Sequence, residues 1–122
     1  MTFTTPFNRY ARPGDQIVTT NGPFEIVAHI VYDEFVTPND CDCYDAHQIA
    51  AWHNDAWFFC GIVLDVLLDG IPVAPHAAAI WGVEANLSKD NQHLTDTANE
   101  LLPEALNEAK RTAQKLIAKL AA

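Results

Sequence analysis

Serine is almost missing from this chain: Ser88 is the only one, and it lies in a polar stretch. A Ser-His-Asp hydrolase is therefore excluded in all but form, since its nucleophile needs a serine held beside a base. The three cysteines, Cys41, Cys43 and Cys60, are too few and odd in number for a disulfide framework, which predicts a reducing, cytoplasmic setting. Seven basic residues against sixteen acidic ones leave a net charge of −9. That excludes ordinary electrostatic attachment to nucleic acid or anionic membrane, because phosphates attract lysine and arginine. The five glycines are dispersed, so no glycine-rich loop can cradle a phosphate. The first fifteen residues lack the apolar core of a signal peptide. The longest apolar run, Ala56 to Leu68, is too short, and too broken by Asp65 and Asp69, to span a bilayer.

What is present is enough apolar material, 49% of 122 residues, to bury a core without metal or disulfide staples. One domain over residues 1–122 is expected, with residues 1–15 as an irregular arm whose Phe3, Phe7 and Tyr10 can pin it to the core. Ile17 to Tyr32 reads as a hairpin turning at Asn21-Gly22-Pro23. Its second strand alternates, with Phe24, Ile26, Ala28, Ile30 and Tyr32 on one face and Glu25, Val27, His29, Val31 and Asp33 on the other. Cys43 to His53 is alanine-rich and predicts a short helix capped by Asp42 or Asp45.

A second hairpin turns at Asp69-Gly70, a preferred type I′ dipeptide. Unbroken register from that turn sets Leu68 opposite Ile71, Val66 opposite Val73, Phe58 opposite Trp81, and Asp55 opposite Glu84, the last pair repelling. Trp57 and Trp81 are expected in the core. Pro72 and Pro75 cannot donate to a ladder, so Ile71–His76 is an edge, a bulge or a loop. From Leu94 to Leu120 apolar residues recur at three and four, predicting one long helix with Pro103 as a kink or a break. The order is β-β-α-β-β-α. The fold class is α+β, an antiparallel sheet of about four strands packed against a long C-terminal helix.

Three constellations carry candidate chemistry. Cys41, Cys43 and His47 can supply three zinc ligands, with His53 or His29 as a fourth, but the second ligand pair of a strong zinc motif is missing. Packing as small apolar residues is the simpler role for the cysteines. His53-Asn54-Asp55 and Asp45 with His47 offer His–Asp pairs for base catalysis, without a placed nucleophile. Asp96, Glu100, Glu104 and Glu108 recur every four residues and form a carboxylate stripe along the helix. Acids in the first half and Lys110, Arg111, Lys115 and Lys119 in the second also suit the helix dipole. A solvated face, a protein-binding face and a nucleic-acid mimic all fit the stripe. Trp52, beside His53 and Asn54, is a candidate for a contact surface, with core or rim packing as its simpler role.

Ala51-Trp52-x-Asn54-Asp55-x-Trp57-x-Phe59-x-Gly61, Trp81-Gly82-Val83-Glu84 and Asn99-Glu100-Leu101-Leu102 followed by Glu104-Ala105 resemble blocks of a family of small bacteriophage proteins, chiefly from phages of actinobacteria. The likeness spans roughly residues 44 to 110. Ala56 stands where the family has an acid, and Ala79-Ile80 where it has Ser-Leu. The resemblance brings no known activity, and the cysteines are not part of its pattern, which weakens the zinc reading; no catalytic motif is found, so no enzyme and no cofactor are expected. The resemblance implies a phage origin and hence a setting in the host cytoplasm, where many small phage accessory proteins bind a host protein, restriction or CRISPR machinery among them, and a host-binding accessory protein is the leading expectation. The contact expected from the residues is the stripe of Asp96, Glu100, Glu104 and Glu108, with Trp52. Alternatives are a small zinc protein and a structural module that self-associates through the Ile71–His76 edge.

Overall fold

The computed structural model describes residues 2–122. Strands β1 (Gln16–Asn21) and β2 (Phe24–Tyr32) form the first hairpin. A short 3₁₀ turn (Pro38–Asp40) and helix α1 (Ala46–His53) lead to β3 (Phe58–Leu68), β4 (Ile71–Ala85) and helix α2 (Gln92–Ala121). The four strands make one antiparallel sheet in the order β1-β2-β3-β4, so the architecture is α+β as the residue pattern predicts. Asp45 caps α1: its carboxylate accepts from Gln48 N at 2.8 Å, while Gln48 Oε1 accepts from Asp45 N at 3.0 Å.

Period-two alternation decides which side chains meet α2. Ile26, Ala28 and Ile30 of β2 and Cys60, Ile62, Leu64 and Val66 of β3 share one buried face with Leu94, Ala98, Leu102, Ala105 and Ala109 of α2. The helix rests on β3 and β4. The β1–β2 half of that face is covered by the N-terminal arm, through Phe3, Phe7 and Ala11. Phe3 N donates to Asn99 Oδ1 (2.7 Å) and Phe7 N to Thr95 Oγ1 (3.0 Å), tying the arm to the helix. Further along, Asn86 and the buried Asn91 take up the arm's backbone at Arg9 and Ala11. Tyr10 stays exposed and Ala11 takes the anchoring place.

The second hairpin corrects the unbroken register. Asp69 and Gly70 both have positive φ, as a type I′ turn requires, and Leu68 pairs with Ile71. Beyond Leu67↔Pro72 the ladder slips at bulges, so that Val66 faces Ala74, Phe58 faces Ala85 and Glu84 faces Phe59. The physical cause lies in β4. Pro72 and Pro75 withhold N–H donors, and His76 (φ 50) and Gly82 (φ 72) leave extended geometry, so extra residues are taken into β4. Asp55 sits outside the strand and never meets Glu84. Trp81, expected in the core opposite Phe58, is 48% exposed and lies over Gly61 on the face away from α2. Trp57 is buried as expected. Pro103 neither breaks α2 nor shifts its phase: the helix is continuous from Gln92 to Ala121.

Candidate functional site

The sheet face turned away from α2 concentrates the side chains that the core does not use. At its outer end the aromatic rings of Tyr44, Trp57 and Phe59 pack on one another, and Trp57 Nε1 donates to Gln48 O at 2.8 Å, fixing α1 on the sheet. The Tyr44 hydroxyl donates to the Glu84 carboxylate. Burial first, then the Glu84 hydrogen bond and charge, push the Tyr44 pKa up to about 12.

Two shallow pockets open on this face. The first, about 430 Å³, has His29, Asp65 and His76 in its wall. His29 Nε2 lies 2.5 Å from Asp65 Oδ2, and His76 N donates to Asp65 Oδ1 at 2.7 Å. Asp65 stands inside an otherwise apolar strand because both of its oxygens have hydrogen-bond partners. Among the described residues neither the serine nor the free cysteine stands beside the pair: Ser88 lies in the β4–α2 loop, its Oγ 3.3 Å from His93 Nδ1. The only free cysteine is Cys60, buried on the opposite face, where burial first and then the nearby Asp33 charge push its thiol up to about 12.

The second pocket, about 420 Å³, is walled by Phe35, Val36, Trp81 and Asp33. Asp33 is buried, and its two oxygens accept from Phe35 N and Gly82 N, each at 3.0 Å. This carboxylate thus bolts the chain after β2 to β4. Phe35 is left 88% exposed beside the half-exposed Trp81.

The residues singled out from the sequence fall elsewhere. Asp96, Glu100 and Glu104 are exposed on the outer side of α2; Asp96 accepts from Gln92, and Glu108 pairs with Arg111 at 2.7 Å. Trp52 is half-buried on α1, its ring edge-on to His53. Cys41 and Cys43 are joined in a disulfide, Cα atoms 5.3 Å apart, which removes the two thiolates that a zinc site with His47 needs. Among the described residues no group of three His, Cys, Asp or Glu is arranged to hold a metal. Nor is any helix there long and apolar enough to cross a membrane.

The His29–Asp65 contact and the Phe35–Trp81 patch are new relative to the sequence reading. An acid inside an apolar run was the available signal for the first, but it needs the β2–β3 register, which no turn specifies. Phe35 carried no signal, being one aromatic in a loop. Comparison of the chain with family models, with curated proteins and with solved structures gives no match.

Proposed function

We propose that this chain is a non-enzymatic accessory protein, of the bacteriophage kind, that binds a host protein through the Phe35–Val36–Trp81 patch. Inhibition of a restriction or CRISPR type defence is the outcome we assign to that binding. The observation that carries the reading is the pairing of Phe35, 88% exposed, with Trp81, 48% exposed, around one apolar pocket. Exposed aromatic side chains beside an apolar pocket are what hot spots of protein interfaces are made of. Asp33 adds preorganisation, because it sets the Phe35 backbone before any partner arrives.

A second reading places the contact on Asp96, Glu100, Glu104 and Glu108. It is favoured by the exposure of the first three and their lack of a salt bridge among the described residues. The two surfaces lie on opposite sides of the sheet and are separable. Lysate from an actinobacterial host is passed over immobilised wild type, Phe35→Glu, and a variant with all four acids changed to Lys. The patch reading expects a protein held by wild type and by the four-site variant and lost from Phe35→Glu. The reverse pattern supports the acidic stripe. Equal capture by all three, or capture by none, removes the patch as the contact.

A further inference from the structure

The last part of α2 is covered only in part, at Thr112 and Ala113. Its buried residues end at Ala109, and none beyond it is buried. The apolar stripe nevertheless continues, through Leu116 (48% exposed), Ile117 (66%) and Leu120 (86%). A helical segment of about a dozen residues is marginal on its own in water and gains its stability from packing an apolar face. The same segment carries Lys110, Arg111, Lys115 and Lys119 and no acid. Taking these four charges from the net −9 leaves −13 on the rest of the chain.

These charges restrict what can cover the stripe. Two such segments packed on each other would set four positive charges against four, so a symmetric helix pair is disfavoured. An occupant must offer an apolar pocket on an acidic stretch of chain. The connection from β2 to α1 has no base, carries the exposed acids Glu34, Asp40, Asp42 and Asp45 besides the buried Asp33, and presents Phe35 and Val36 beside Trp81. The segment cannot reach that pocket within one molecule, because the helix leading to it is fixed to the opposite face of the sheet.

We propose that the segment from Lys110 to Ala121 of one molecule docks in the Phe35–Val36–Trp81 pocket of a second copy. Leu116, Ile117 and Leu120 enter the pocket, and the lysines face the acids of the β2–α1 connection. The contact joins two different surfaces, so each pair keeps one free patch and one free helix end, and assembly runs head to tail. It rests on the patch being a binding surface, and it names a competitor for the host partner: a neighbouring copy must leave before a host protein can enter.

The test uses the full chain and two variants at exposed positions, Phe35→Glu in the patch and Ile117→Glu/Leu120→Glu in the helix. Sedimentation velocity is run from about 10 μM to about 1 mM, a range suited to a small interface with a dissociation constant on the order of tens of micromolar. Wild type is expected to associate progressively, and to weaken at least several-fold when salt rises from about 0.05 to about 0.5 M. Each variant alone is expected to stay monomeric. An equimolar mixture of the two is expected to form a 1:1 heterodimer and stop there, because only one intact helix end and one intact patch remain. A monomeric wild type, a helix variant that still associates, or a mixture that stays monomeric each overturns the proposal. So does a wild-type monomer that instead sediments with phosphatidylglycerol vesicles. Host capture by the patch is read separately from lysate, so a monomeric wild type that still captures its host protein refutes self-docking alone.

Discussion

Gly61 is where β3 gives up a side chain so that β4 can lay an indole across it. A Cβ built at Gly61 runs into the Trp81 ring, and its neighbours in the strand, Cys60 and Ile62, are fully buried on the other face. The ring therefore gains one packed face while keeping 48% of its surface in water. Gly61→Ala is expected to destabilise the protein by about 1–3 kcal/mol through overpacking. The same substitution made in a Trp81→Ala background is expected to be close to neutral, because the clash is gone. Urea unfolding of the four proteins in the cycle measures the coupling, and equal costs in both backgrounds would show that the indole is not what Gly61 accommodates. The glycine was legible in the sequence as an interruption of an apolar run. Its partner was not, because an unbroken register puts Trp81 opposite Phe58.

At the scale of elements, periodicity was legible and register was not. The alternation in β2 and the three-four recurrence in α2 assign faces without knowledge of neighbours, and both faces are the buried ones: Ile26, Ala28 and Ile30 in the strand, Leu94, Ala98 and Leu102 in the helix. Register in the second hairpin depends instead on how β4 absorbs two prolines, and bulges are local accommodations that carry no period. Pro103 tests the same balance in α2. It withholds the N–H that Asn99 O would otherwise accept, yet Ala98 and Leu102 before it and Ala105, Leu106 and Ala109 after it are buried on one sheet face. Packing on both sides thus holds the helix continuous against the local cost. Pro103 is exposed, so its ring adds no core contact. Pro103→Ala is expected to raise stability by about 1–3 kcal/mol, read as a higher urea midpoint at unchanged slope. A destabilised Pro103→Ala protein would mean that α2 needs the proline's bend to fit the sheet.

For the whole molecule the decisive feature is that one sheet face is covered by two unlike parts. The helix lies over β3 and β4, and the remaining half is closed by an arm without regular structure. An arm stays in place only if its backbone polar groups are satisfied, and the helix supplies the acceptors: Thr95 Oγ1 for Phe7 N and Asn99 Oδ1 for Phe3 N. The aromatics of the arm were legible as anchors. The buried asparagine at position 91 was not, because a polar residue in a loop gives no sign of bonding an arm eighty-two residues away. If the arm is a layer of the core rather than an attachment to it, removing its anchor must be felt everywhere. Phe7→Ala is expected to cost about 3–5 kcal/mol, a large share of a total that is on the order of 5–15 kcal/mol for a domain of this size. Thr95→Val, which leaves the buried Phe7 N–H without its acceptor, is expected to cost about 1–3 kcal/mol with little change in volume. Both losses should appear as a single shifted transition, coincident in far-ultraviolet circular dichroism and in tryptophan fluorescence, although no tryptophan lies in the arm. An early separate transition, with the tryptophan signal unmoved, would instead make the arm an independent flap over an already complete sheet and helix.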